Sequence, residues 1–216
     1  MKIKIVCLAN SLKEGGKCLA GIELNENNTP KIENNRPKWI RPICKTEHGQ
    51  IPALLIAEIG LLDIMEIDIT KKPEITNYQS ENYYFSENSI KKIGRFDFEL
   101  LSLCHENKST IFGNRGKALP KDVVEKLTYS LILIKVKKYC VEEKVYEDNP
   151  ANPKTRLLFT YNNVENNFPV TDPIFLYNYK HNPNLLNGCT ELYLTISLTV
   201  EWKGWYYKLV SGIIWK

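Results

Sequence analysis

The sequence predicts a mostly β protein: two small β-barrels in tandem, with short helices between strands. Three observations predict it. The pattern that opens KIKIVCLANSLKEGGKCLAGIEL recurs in variant form in the second half of the chain. Each half offers many short apolar-rich strands separated by turn residues. The 216 residues are enough for two compact domains, each with a core of its own. Strand periodicity alone leaves barrel and sandwich open.

Taken in order, Lys2–Leu8 reads as a strand and Lys17–Leu24 as a second, joined through Gly15-Gly16, a pair that supplies positive φ for a tight connection. An Asn- and Pro-rich loop (25–37) precedes a short strand at Lys38–Pro42, and Pro52–Ile59 suits one or two helical turns. Gly60–Ile69 carries near-alternating apolar residues, which predicts a half-buried strand with a bulge at Ile64-Met65. Asn77–Phe85 reads as a further strand and Phe96–His105 as a short helix. In the second half, a helical turn at Asp122–Lys126 follows Pro120, and Ser130–Lys138 is a core strand. Glu142–Asn152 reads as a charged loop. Arg156–Tyr161, Phe168–Thr171, Glu191–Val200 and Tyr206–Ile214 complete the strands.

Composition narrows the class. An apolar share of 43% and a charged share of 25% are those of a folded globular chain, so disorder is not expected. No apolar run approaches the ~20 residues of a membrane span, and the alternating start Met1–Val6 predicts a strand rather than a secretion signal. Six cysteines without a C-x-x-C pair, several inside apolar strand patterns, point to reduced thiols and a cytoplasmic protein. Asparagine pairs at 27-28, 34-35, 162-163 and 166-167 are read as the bias of an AT-rich coding sequence. Residues 1–110 hold 15 basic and 15 acidic side chains and residues 111–216 hold 14 and 10, so the net +4 belongs to the second half. That is a mild preference for polyanions.

The segments CLANSLKEGGKCLAGIEL (7–24), WIRPI (39–43), LLDIMEI (61–67), YQSENYYF (78–85), VTDP (170–173) and YKLVSGII (207–214) run in order over nearly the whole chain. Together they resemble the bacterial dual OB-containing domain family. The resemblance implies two OB-like barrels, expected at 1–115 and 116–216. It also implies a ligand- or nucleic-acid-binding role, in a bacterial conflict or defence setting.

Four polar constellations are candidates. Asn10, Ser11 and Lys13 close the first strand, and Arg41 shares a strand face with Trp39. An amide, a hydroxyl and two cations at a barrel mouth suit a phosphate or a base edge, whereas a capped turn beside a solvated lysine is the structural alternative. In Tyr78–Tyr84, strand alternation sets Gln79, Glu81 and Tyr83 on one face and Asn82 on the other. Amide and carboxylate read base or sugar edges while a ring stacks. Glu81 repels phosphate and so favours a base, ribose or amine; the alternative is an exposed strand with its tyrosines packed. Arg115 and Lys117, between two glycines and after them, either build an anion nest or belong to a plain linker, the weightier reading. With Arg156 they make up a secondary set of nucleic-acid contacts, although Arg156 and Asp172 also suit purely structural roles. Among the late aromatics (Trp202, Trp205, Tyr206, Tyr207 and Trp215) packing outweighs a stacking platform beside Lys203 and Lys208. Trp39 is the favoured stacking ring.

Catalytic signatures are missing: His48, His105 and His181 lack partners at metal spacing, and no nucleophile-elbow, zincin or dinucleotide motif occurs. No cofactor and no metal are expected. The sequence therefore predicts a non-catalytic binding module for nucleic acid, single-stranded rather than duplex, or for a nucleotide-type ligand. A protein-interaction adaptor is the alternative, and an enzyme acting on nucleic acid ranks third.

Overall fold

The computed structural model describes residues 1–74, 78–147 and 149–216. β1 (Lys2–Lys13) and β2 (Gly16–Leu24) form an antiparallel hairpin with Lys13 opposite Gly16. Its two turn residues are Glu14 (φ 35°) and Gly15 (φ 76°), both in the left-handed region that matches strand twist. Gly16 answers to space rather than to φ. A Cβ there would stand 2.7 Å from the Ile51 carbonyl oxygen, because Lys17 and Ile51 exchange backbone hydrogen bonds of 2.9 Å. β1 does not stop at Leu8. A register shift between Cys7 and Ala9 bends it and the pairing continues to Lys13.

β3 (Ile32–Glu33) and β4 (Arg36–Pro37) make a small hairpin, and β5 (Trp39–Ile43) pairs with β2. A 3-10 turn at Ala53–Ile56 leads to β6 (Asp63–Asp68), antiparallel to β1. β7 (Asn82–Tyr84) runs parallel to β5, and β8 (Lys91–Arg95) antiparallel to β6 with a register shift between Ile64 and Met65, where the apolar doublet predicts a bulge. The sheet order is β7-β5-β2-β1-β6-β8. Phe85 also bridges Ile69, and the Tyr84 carbonyl accepts from the Thr70 N–H at 2.8 Å. β7 thus pairs with β5 on one side and its end meets the residues that follow β6 on the other, and the sheet curls into a barrel filled by Ile5, Cys7, Leu19, Ile40, Met65 and Ile67.

The strand expected from Asn77 is shorter. Asn77 lies outside the described residues, and a turn in which the Asn82 N–H donates to the Gln79 carbonyl (3.1 Å) confines the strand to Asn82–Tyr84. The expected helix after Phe96 is a 3-10 segment, Phe98–Leu103, capped by the Asp97 carboxylate.

In the second half, β9 (Ala118–Pro120) and the single-turn α1 (Lys121–Val124) lead to β10 (Leu131–Val136) and β11 (Lys138–Tyr146), which one residue separates. β12 (Asn149–Tyr161) and β13 (Val164–Pro169) continue a three-stranded sheet, β11-β12-β13. The charged stretch 142–152 is therefore a strand ribbon rather than a loop: alternating polar residues pair as well as apolar ones when both faces meet water, and Lys144 stands opposite Lys154. Asp148, within that stretch, lies outside the described residues. α2 (Pro173–His181) has no counterpart among the sequence-based expectations. Asp172 is its N-cap, accepting from the N–H groups of Ile174 and Phe175 at 3.0 and 3.1 Å, and Pro173 sits in its first turn. β14 (Leu192–Leu198) and β15 (Trp205–Ile214) complete a sheet ordered β10-β14-β15-β9, and a parallel bridge from Val170 to Val210 joins the two sheets.

Each half thus runs strand–strand–strand–helical turn–strand–strand, with the third and fifth strands in parallel contact. This is the five-stranded, partly open barrel of the OB fold, present twice. The chain divides into compact units Met1–Glu106 and Asn107–Lys216. Residues 107–115 sit with the second because the Lys108 N–H donates to the Tyr161 hydroxyl (2.8 Å) and Asn162 donates to the Lys108 carbonyl (2.6 Å). Glu106 closes the first through two bonds from Arg36 (2.6 and 2.8 Å). No helix among the described residues is long and apolar enough to cross a membrane. All six cysteines are free thiols, and burial pushes Cys104 up to about 12.

Candidate functional site

OB barrels take ligands on the second and third strands and on the loops joining strands one to two and four to five. In the first unit those parts are the Glu14-Gly15 turn, β5 and the segment between β6 and β7. The side chains expected there divide by strand parity. Leu19 and Ile40 point into the barrel. Asn10, opposite Leu19, shares the inner side and donates to the Ile59 carbonyl at 2.7 Å. Tyr83, opposite Pro42, also packs on the core, with the Lys72 ammonium 4.9 Å from its ring centre. Ser11, Lys13, Trp39 and Arg41 take the outer side. The structure therefore separates Asn10 and Tyr83 from the other candidates.

What remains is one polar cluster. Arg41 and Glu81 are buried and form an ion pair at 3.2 Å. Arg41 also donates to Asn82 Oδ1 at 3.1 Å, and the Asn82 amide donates to Gln79 Oε1 at 3.2 Å. The Arg41 N–H bonds the Glu81 carbonyl at 2.7 Å, so the charges sit on the seam that closes the barrel. Losing one partner of such a buried pair costs about 3–5 kcal/mol. Lys13 is half-buried beside this pair. Burial lowers its ammonium below the ordinary lysine range; Arg41 adds to that, and Cys18 and Glu14 oppose it. Trp39, the favoured stacking ring, is only 7% exposed and offers no open face. The carboxylates of β6 have structural partners: Asp63 pairs with Lys92 and Arg95, Glu66 with Lys2, and Asp68 with the chain's amino group.

In the second unit the loop joining the fourth and fifth strands carries the feature that sequence reading undervalued. Trp202 and Trp205 exchange both backbone hydrogen bonds (2.8 and 3.1 Å) around a two-residue turn, Lys203 (φ 50°) and Gly204 (φ 81°). Directly opposed residues of an antiparallel pair project to the same face. The two indoles are 58% and 46% exposed. The Lys203 ammonium lies 4.6 Å from the Trp202 ring centre, and Tyr207 meets Trp202 edge-on at 5.9 Å. The signal was W-K-G-W itself, a left-handed Gly turn flanked by identical aromatics. Packing does claim Tyr206, which is buried, and Trp215, edge-on to Phe175 at 5.8 Å.

Lys208 does not join the platform. β15 alternates, so Tyr206, Lys208 and Val210 point inward and Lys208 is 0% exposed. Arg156 is buried too: it donates to Asn167, whose amide reaches Glu142 at 2.6 Å. Arg115 and Lys117 are exposed, and Arg115 lines a narrow recess with Ser109, Thr110 and Asn166.

The dual OB-containing domain model matches residues 3–213, almost the whole chain. The protein belongs to that family. No curated protein matches the chain. Among solved structures it is similar to a replication protein A heterotrimer bound to single-stranded DNA, at 11% identity and a TM-score of 0.36, over 98% of this chain and 49% of that one. It is similar as well to a murine DNA-binding protein bound with double-stranded DNA, at 6% identity and a TM-score of 0.37, over 100% of this chain and 96% of that one. A third likeness is to a structure described as the molecular basis for abrogation of activation of pro-inflammatory cytokines (11% identity, TM-score 0.36, 100% and 92% coverage). These likenesses are too loose to bear on function. The family assignment rests on the full-length match and agrees with the strand order of each unit.

Proposed function

We propose that this dual OB protein is a non-catalytic binder of single-stranded nucleic acid, and that the hairpin tip between β14 and β15 is its principal contact. The observation that carries the reading is the pair of exposed tryptophans on one face, with a lysine held against one ring. Two indoles side by side stack successive bases without regard to sequence, and the ammonium meets the backbone. An apolar surface of this kind, in the loop where OB barrels take oligonucleotides, stands half open to solvent. Exposed Arg115 and Lys117 in the same unit add positive charge.

The test is fluorescence and anisotropy with short single strands of DNA and RNA. Stacking is expected to quench tryptophan emission. Trp202→Ala is expected to weaken binding by a factor of about 5 to 150, the ~1–3 kcal/mol that one stacked base is worth. Log affinity is expected to fall with log salt at about −0.7 per phosphate neutralised. A wild-type protein that binds neither strand at low salt, or a Trp202→Ala variant that binds as well as wild type, overturns the proposal.

A further inference from the structure

We infer that Asn187 is a site of spontaneous covalent modification, at which the folded chain converts a side-chain amide into aspartate and isoaspartate without an enzyme. The modification is independent of strand binding. Asn187-Gly188 is the one Asn-Gly step in the sequence. It lies in the turns that join α2 to β14, and both residues are exposed. Gly188 adopts φ 85°, and a Cβ placed on it would meet nothing within 4 Å, so water reaches the step freely.

The Gly188 N–H decides its reactivity. The turn engages the neighbours on both sides: the Asn187 N–H donates to the Asn184 carbonyl at 2.9 Å, and the Cys189 N–H to the Leu186 carbonyl at 3.2 Å. The Gly188 N–H makes no hydrogen bond with any described residue. Loss of its proton to hydroxide therefore breaks no bond of the fold. The nitrogen then attacks the side-chain carbonyl carbon of Asn187 and closes a succinimide ring. The Cγ–Nδ2 bond breaks, and ammonia leaves with a proton taken from water. Water next opens the ring at either carbonyl, giving aspartate or isoaspartate. Glycine has no Cβ to crowd the attacking nitrogen. The departing amide is held by a single exposed bond of 3.1 Å to Asn184 Oδ1. Asn88-Ser89 supplies the contrast. Asn88 is exposed as well, yet the Ser89 N–H donates to the Ser86 carbonyl at 3.1 Å, and the Ser89 hydroxyl accepts from the Asp68 N–H at 3.1 Å. There the attacking nitrogen is already engaged. At Asn187 a carboxylate replaces a neutral amide, so the net charge of the chain falls from +4 to +3. Isoaspartate also lengthens the backbone by a carbon, next to Cys189, whose carbonyl accepts from the Tyr139 hydroxyl at 2.5 Å.

The experiment ages the full folded chain at neutral and at mildly alkaline pH and maps its peptides by mass spectrometry. The Asn187 peptide is expected to gain the mass difference between an amide and an acid. Conversion is expected to be faster at the higher pH, because hydroxide frees the attacking nitrogen. Ion exchange is expected to resolve a matching acidic form of the intact protein. Isoaspartyl methyltransferase with labelled S-adenosylmethionine is expected to label the aged chain and not the fresh one. Asn187→Gln is expected to remove both signals, since its longer side chain carries the carbonyl away from the nitrogen; the residue is exposed, so the fold is kept. The Asn88 peptide is expected to keep its mass over the same interval. An Asn187 peptide of unchanged mass after ageing overturns the inference. So does an acidic form undiminished in Asn187→Gln, or an Asn88 peptide that converts as fast as Asn187.

Discussion

Lys208 is fully buried, and both of its hydrogen bonds, 2.9 Å each, go to Asn114, one to the backbone oxygen and one to the side-chain oxygen. A neutral amine has two hydrogens for those two acceptors, and burial lowers the group to about 7. The Phe168 ring, 5.7 Å from the nitrogen, adds little for a neutral group. The unfolded chain holds this proton up to the ordinary value of 10.5, so between about 7 and 10.5 the unfolded state binds more protons than the folded one. Stability therefore rises with pH across that window, by up to about 1.4 kcal/mol per unit, and is flat below it. Urea midpoints taken near neutrality and at about pH 9 are expected to differ by less in Lys208→Met than in wild type. Equal pH dependence in the two proteins would show that Lys208 is charged inside the fold.

At the scale of elements, the hairpins are set by residues in the left-handed region. Asn34 (φ 52°) and Asn35 (φ 59°) turn β3 into β4, and Asn162 (φ 47°) and Asn163 (φ 61°) turn β12 into β13. These asparagine pairs, read from the sequence as coding bias, are the residues that two-residue hairpins select. A β-branched residue is strained there by roughly 1–3 kcal/mol, while glycine adopts the conformation freely. Asn163→Val is thus expected to lower the thermal midpoint and Asn163→Gly to leave it within experimental scatter; equal midpoints for both would remove the turn argument. β2 shows the opposite constraint, since a Cβ on Gly21 would come within 1.9 Å of the Val6 carbonyl oxygen. Small size, not flexibility, is what that position requires.

Over the whole molecule the charge divides with the structural units. Met1–Glu106 holds 14 basic and 15 acidic side chains, and Asn107–Lys216 holds 15 and 10. The field that attracts a polyanion belongs to the second unit, which also presents the exposed tryptophans. Lys144 and Lys154 face each other across β11 and β12 and are exposed, so they add to that field. Changing both to Glu is expected to weaken single-strand binding and flatten its salt slope, more than Lys91→Glu on the first unit does. Matching losses from the two changes would argue against a binding surface confined to the second unit.

The sequence by itself determined the mostly β class and most of the strands, because a period of two and turn residues are local properties of the chain; the twofold OB character came from its resemblance to the dual OB-containing domain family. It also pointed to Lys13, Arg41, Gln79, Glu81 and Asn82, which do gather in one cluster. Tertiary structure decided which side of each strand met water. The bend in β1 placed Asn10 inward, the closing seam buried Arg41 against Glu81, and β15 carried Lys208 into the core. Such outcomes depend on pairing register and on what covers a face, and neither is written in the spacing of residues along one strand. The exposure of Trp202 and Trp205 belongs here too: composition treats an aromatic as core, and only the tight turn between these two lifts them into solvent together.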